Sequence, residues 1–132
     1  MGYRELLAAH QGHANAQFHL GLTYSHGDGV EQDKQEAVEW YTKAAQQGDT
    51  EAQFYLGWMY DNGDGVEQDK QKAIEWYSKA AHQDHAKAQF NLALMFDEGD
   101  GLEQDKQKAV EWYSKAAQQG NAKAQLDRKS VE

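Results

Sequence analysis

Three groups of residues in this chain have side chains that could do chemistry. The first is a set of Asp/Gly-rich segments, in which Gly-Asp-Gly recurs from Gly27, Gly63 and Gly99. Such segments could hold calcium, whose loop needs carboxylates at fixed ligand positions. If Gly65 is the loop glycine, the first ligand position falls on Tyr60 and the twelfth on Gln71, neither of them acidic. The segments therefore read as turns. The second group is two histidine pairs, His10 with His13 and His82 with His85, two repeats apart. A physiological zinc site needs three or four ligands, so two imidazoles per cluster read as exposed variable positions. The third is the serines Ser25, Ser78, Ser114 and Ser130, which lack a glycine-flanked elbow or a base at matched spacing. The chain is expected to be no enzyme and to need neither cofactor nor metal.

Aromatic residues form two classes. Trp40, Trp76 and Trp112, each followed by tyrosine, recur at a fixed interval and sit on an apolar stripe, which is the pattern of core. Trp58 differs, because its counterparts in the neighbouring units are Leu22 and Leu94. Positions 51, 55, 58 and 62 lie on one stripe of a helix, expected opposite the shared core. That stripe reads Asn15, His19, Leu22, His26 in the first unit, Glu51, Tyr55, Trp58, Asn62 in the second, and Lys87, Asn91, Leu94, Glu98 in the third.

These residues are positioned by a repeat of 36 residues, the spacing of Trp40, Trp76 and Trp112. Units 13–48, 49–84 and 85–120 follow, the last two agreeing at about two-thirds of positions. Each unit begins with a helix, about 14 to 25 in the first, in which Ala52, Leu56, Gly57 and Tyr60 show the spacing in the second. Gly21, Gly57 and Ala93 fall in mid-helix, where a small residue implies close approach of a neighbouring helix. Gly-Asp-Gly then ends the helix, with Val30, Val66 or Leu102 covering the turn. The closing helix of each unit starts after Asp33, Asp69 or Asp105, whose carboxylates can cap free amides. It stops at Gly48, at Gly120 and, in the middle unit, at Asp84.

Two such helices cannot bury both apolar faces alone, so stacked units must share a core. The expected fold is all-α: a single right-handed superhelical solenoid of antiparallel helix pairs over 1–132, with partial flanking helices at 3–11 and 122–130. The 132 residues include no proline and no cysteine, which favours helix and excludes disulfides and thiol chemistry. A net charge of −9 repels a phosphate backbone, so nucleic acid is not an expected partner. No apolar run reaches membrane-spanning length, and residues 1–12 lack the uncharged core of a secretory signal. A soluble protein is expected, cytoplasmic or periplasmic if bacterial.

The residues A-Q-F-x-L-G-x-x-Y, G-D-G-V-x-Q-D and K-A-V-E-W-Y-x-K-A-A-x-Q-G, read from Ala16 to Gly48 and repeated, resemble the Sel-1-like repeats, relatives of the tetratricopeptide repeats. The resemblance covers nearly the whole chain. It implies an adaptor or scaffold that assembles protein complexes and names no single ligand. A cysteine-rich Helicobacter subgroup is linked to penicillin binding, and without cysteine this chain does not inherit that activity. By analogy with tetratricopeptide arrays, the first helix of each unit lines the concave face. The candidate protein- or peptide-binding residues are then His19, Leu22, His26, Glu51, Tyr55, Trp58, Asn62, Asn91, Leu94 and Glu98, with Tyr55 and Trp58 as aromatic anchors. The alternative is a structural array, natural fragment or consensus design, that associates end to end through Leu7, Ala8, Ala124 and Leu126 and has no ligand of its own.

Overall fold

A computed structural model describes residues 2–120. Among these residues the chain forms seven helices in sequence: α1 (Tyr3–His10), α2 (Ala14–His26), α3 (Lys34–Gln46), α4 (Thr50–Asn62), α5 (Lys70–His82), α6 (Ala86–Glu98) and α7 (Lys106–Gln118). The expected flanking helix at 122–130, with Ala124 and Leu126, lies outside the described residues. The most extensive packing is within the pairs α2 with α3, α4 with α5 and α6 with α7. Each pair then docks on the next through α3 with α4 and α5 with α6, while α1 packs on α2. The chain is an all-α solenoid of sequential helix pairs. None of the described helices is long and apolar enough to cross a membrane.

Local chemistry sets the helix ends where the repeat pattern placed them. Asp33, Asp69 and Asp105 each accept a hydrogen bond from the backbone amide three residues on, that of Glu36, Lys72 and Lys108, at 3.0–3.1 Å. Helices α2, α4 and α6 stop at Gly27, Gly63 and Gly99, whose φ values of 73°, 65° and 68° are left-handed. The closing helices end two residues before Gly48, Asp84 and Gly120, and Asp84, at φ 65°, is the one non-glycine residue with positive φ among the described residues.

The core is built from alanines, one tyrosine per unit, and the leucines, phenylalanines and methionines of α2, α4 and α6. Tyr41, Tyr77 and Tyr113 are each at most 1% exposed, and the alanines of α3, α5 and α7 surround them. A Cβ added at Gly21 would lie 2.6 Å from the Tyr41 ring, and one at Gly57 would lie 2.8 Å from the Tyr77 ring. The close approach inferred for these mid-helix positions is therefore that of a tyrosine ring of the paired helix to the glycine backbone. Ala93 holds the same place beside Tyr113 in the third core cluster.

Polar ties hold unit to unit. Gln17, Gln53 and Gln89, buried, donate through Nε2 to the carbonyls of Ala9, Ala45 and Ala81 at the end of the preceding helix, at 3.0–3.2 Å. Their own side-chain oxygens accept from Gln47, Gln83 and Gln119 at 2.7–2.8 Å. Each of these helix-end carbonyls, which also accepts a backbone amide three residues on, thus gains a second donor, and each buried glutamine amide is bonded at both its nitrogen and its oxygen. Gln32, Gln68 and Gln104 do the same within a unit, donating to the carbonyls of Ser25, Asp61 and Asp97 at 2.7–2.8 Å.

Candidate functional site

Helices α2, α4 and α6 lie side by side, and the candidate residues sit along their common face. The main depression has a volume of about 330 Å³ and lies between α2 and α4, lined by Ser25, His26, Lys34, Tyr41, Phe54, Tyr55, Trp58, Met59, Asp64 and Lys87. A second hollow of about 260 Å³ continues past Trp58 between α4 and α6, along Asp61, Asn62, Asn91, Leu94, Met95, Glu98 and Asp100. A third, of about 320 Å³, adjoins the first at Phe54, Tyr55 and Lys87 and reaches Glu51 and His85. One groove therefore brings together His26, Glu51, Tyr55, Trp58, Asn62, Asn91, Leu94 and Glu98. His19 is exposed beside Phe18, its ring 5.4 Å away, and Leu22 packs partly against the first core cluster.

The stripe stands clear of the core at its polar positions, His19, His26, Glu51, Asn62 and Glu98 among them, but Tyr55 and Leu94 do not follow the expectation. Tyr55 is half-buried, stacked on Tyr41 at 5.7 Å and touching Phe18 and Phe54, and it packs against two core clusters at once. Leu94 likewise leans on the third cluster. A helix in a stack meets its own partner helix, the preceding unit and the next unit, so its free face is narrower than in an isolated hairpin. Among the large apolar residues of the stripe Trp58 is the exposed one: 42% exposed, while the leucines at its counterparts are half-buried.

The repeated tryptophans depart from the expected core in a graded way. Trp40 is buried at 5%, whereas Trp76 and Trp112 are half-buried. Each has a lysine of its own helix over its face, Lys43, Lys79 and Lys115, at 4.4, 5.1 and 4.6 Å from the ring centroid. His10 and His82 meet the edges of Trp40 and Trp112, one unit on, at 5.2 Å.

His85 corrects the reading of the histidine pairs as exposed. Its side chain is only 10% exposed, stacked on Phe54 at 4.7 Å. Nδ1 accepts from the Ala88 amide at 3.1 Å, making His85 the cap of α6, and Nε2 lies 3.0 Å from Glu51 Oε1. An unprotonated Nδ1 places the ring hydrogen on Nε2, which then donates to Glu51. Among the described residues no group of three or more His, Cys, Asp or Glu is placed to hold a metal ion.

Electrostatics divide the groove. At the α4–α5 turn, Lys70 lies within hydrogen-bond distance of Asp61 and 2.9 Å from Asp100 of the next unit. Burial by itself would lower the Lys70 pKa, but these two carboxylates outweigh it and hold the ammonium above the ordinary lysine value. Tyr77 donates to the other Asp61 oxygen at 3.2 Å, and Tyr113 donates to Asp97 at 3.3 Å, with Lys106 also paired to Asp97. Unit one places Ser25 where Asp61 and Asp97 stand. There Lys34 donates to Ser25 Oγ at 3.3 Å and pairs with Asp64 at 3.5 Å. Burial pushes the phenols of Tyr41 and Tyr77 above the ordinary tyrosine range, and the Asp61 charge adds to this for Tyr77.

The stacked helix hairpins, with interunit glutamine ties and a varied groove, define a class: a helical-repeat scaffold. The family is more particular. The Sel1 repeat model matches residues 14–49, 50–85 and 86–121, and the chain belongs to the Sel1 repeat family. A Sel1 repeat protein of Oxalobacter formigenes superposes with a TM-score of 0.87 at 40% identity, over 89% of this chain and 49% of that one. The protective antigen c5321 of uropathogenic Escherichia coli also gives 0.87, at 46% identity over 89% of this chain and 25% of that one. The chain thus spans about half and a quarter of these two relatives. Cysteine-rich protein B of Helicobacter pylori gives 0.68 at 25% identity, covering 90% of this chain and 91% of that one. No curated protein gives a significant match.

The sequence reading missed the glutamines. Gln17, Gln53 and Gln89 belong to the recurring Ala-Gln motif, and a polar residue that repeats with the scaffold instead of varying with the surface is the signal that it is buried and bonded.

Proposed function

We propose that this chain is a protein-interaction module that holds a segment of a partner protein in the groove formed by α2, α4 and α6. The observation that carries the reading is Trp58. It presents a large aromatic surface, 42% exposed, at the junction of two hollows. A large exposed aromatic at a concave junction is the residue type that supplies binding energy in interfaces. Membership of the Sel1 repeat family, whose repeats commonly mediate protein contacts, supports the class. Tyr55 supplies a second aromatic wall, already ordered by Tyr41 and Phe18, so little entropy is lost when a ligand packs on it. The scaffold needs no cofactor for this role and performs no chemistry.

The test is Trp58→Ala, used without the Tyr55 change because Tyr55 also packs the core. The variant should keep its urea midpoint, shifting stability by no more than about 0.5 kcal/mol. Its affinity for peptides selected on the parent chain should fall by about thirtyfold or more, a loss of about 2 kcal/mol. Equal affinity of variant and parent would refute the reading.

A second reading is end-to-end association, favoured by Tyr3, Leu6 and Leu7, which leave α1 77%, 39% and 42% exposed at these positions. Sedimentation over a wide concentration range separates it from the first, since self-stacking requires the mean mass to rise with concentration.

A further inference from the structure

Unit one differs from the other two at a polar position that lines the groove and belongs to an ion-pair cluster. In units two and three a lysine, a tyrosine hydroxyl and an aspartate form a closed cluster: Lys70, Tyr77 and Asp61, then Lys106, Tyr113 and Asp97. In unit one the lysine and the tyrosine persist as Lys34 and Tyr41, and the aspartate is Ser25. Lys70 meets two carboxylates, whereas Lys34 meets one, Asp64, at 3.5 Å, and a neutral hydroxyl at 3.3 Å. The exchange is not in a closed core, because Ser25, Lys34 and Tyr41 all line the main depression, beside Tyr55 and Trp58.

We infer that the segment held in the groove presents an Asp or Glu side chain to Lys34 and Ser25, supplying the carboxylate that the other two units carry in their own sequence. This rests on the groove reading and names the partner's chemistry. Lys34 can donate an ammonium hydrogen, and Ser25 can donate its hydroxyl, to the two oxygens of one carboxylate. Lys87 lies in the same depression and adds positive charge, with Asp64 as the single carboxylate among its lining residues. The hollow beyond Trp58 has the opposite character, lined by Asp61, Glu98 and Asp100 with no cation among its lining residues. An acidic side chain is therefore directed to the α2–α4 end and repelled from the α4–α6 end, which sets the register of the segment. The depression continues past Trp58 on one side and past Tyr55 on the other. A chain can thus run through it in both directions, which selects a side-chain carboxylate over a chain end.

The experiment selects 12-residue peptides from a random display library on the full chain and measures their affinity for the parent, for Ser25→Asp and for Trp58→Ala. The selected peptides should share one Asp or Glu position next to an apolar residue. Changing that residue to Asn or Gln should weaken binding at least tenfold, whereas amidating the C-terminus should change little. Ser25→Asp should weaken the acidic peptides by a similar factor and leave their Asn or Gln versions unaffected. Its thermal midpoint should not fall, since the substitution recreates the cluster of the other units, and that measurement separates lost binding from lost folding. Peptides that need Trp58 but show no acidic preference, or that depend only on a free C-terminus, would overturn the inference and leave the groove reading standing. Failure to select any peptide that depends on Trp58 would overturn both.

Discussion

Glycine at two kinds of turn in this chain does different work, and substitution separates them. Gly48 has φ 92° with no atom within 4 Å of an added Cβ, so alanine there meets only left-handed strain of about 1–2 kcal/mol. Gly65 has φ 77°, and its Cβ would also lie 2.7 Å from the Lys34 carbonyl oxygen of the preceding unit. Backbone cannot yield as a side-chain tip does, so Gly65→Ala should cost about 1–3 kcal/mol more than Gly48→Ala in urea unfolding. Equal costs would show that the turn does not bear on the preceding unit. The buried tyrosines make a second residue-scale prediction. Burial raises the phenols of Tyr41 and Tyr77 above the ordinary tyrosine value of about 10. Below pH about 10 the phenols are neutral in both the folded and the unfolded chain, and their contribution is fully present. Above it the unfolded chain ionises first, so stability falls as pH rises. Urea midpoints measured from pH 8 to 11 should decline, and less steeply in Tyr77→Phe.

At the scale of elements, the joints between hairpins depend on buried glutamine amides as well as on alanine packing. Gln53 is 4% exposed, donates to the Ala45 carbonyl closing α3 and accepts from Gln83, the residue that follows α5. Gln53→Met keeps the volume but leaves the Ala45 carbonyl and the Gln83 amide short of a partner. The expected loss is about 1–3 kcal/mol, read by chemical denaturation. The conservative change Gln53→Glu tests the same joint differently, because a carboxylate can accept from Gln83 but cannot donate to Ala45; it should not restore the parent stability. His85 belongs to this scale too. Its neutral ring caps α6 and joins it to Glu51 of α4, so a groove residue and a helix cap are tied together.

For the molecule as a whole, a strict period means that units are exchangeable parts. Removing residues 49–84 joins Gly48 to His85 and puts Gln89 in the place of Gln53, where its Nε2 can donate to the Ala45 carbonyl, while Gln47 keeps Gln17 and Gln119 keeps Gln89. The shortened chain should fold with fully helical circular dichroism but melt at a lower temperature, because one hairpin and one interface are gone. It should bind none of the peptides selected on the parent, since Tyr55 and Trp58 leave with that unit. Loss of helical signal would show that the stack is not built from separable neighbours. Charge is also distributed at this scale: the chain carries a net −9, yet the depression between α2 and α4 is lined by Lys34 and Lys87 with one carboxylate, Asp64. A local potential opposite to the overall charge favours an acidic segment at that place and disfavours it elsewhere on the surface.

The repeat alone determined the helix pairs, their caps and the identity of the family, because each of those depends on local chemistry: the aspartates before α3, α5 and α7, the left-handed glycines after α2, α4 and α6, and apolar spacing. It also singled out Trp58 by its departure from leucine. Tertiary structure decided what faces what. Tyr55 shares a stripe with Trp58, yet it is wedged among Phe18, Tyr41 and Phe54, since a helix inside a stack has three neighbours and spacing counts only one. His85 read as exposed because it sits at a helix end, and it is covered because the preceding unit brings Phe54 over it. The same holds for Ser25, whose exchange for aspartate is visible in the chain but acquires meaning only when Lys34, Tyr41 and the groove meet around it. Interactions across the period of 36 residues are invisible to local pattern, and they are the ones that shape this surface.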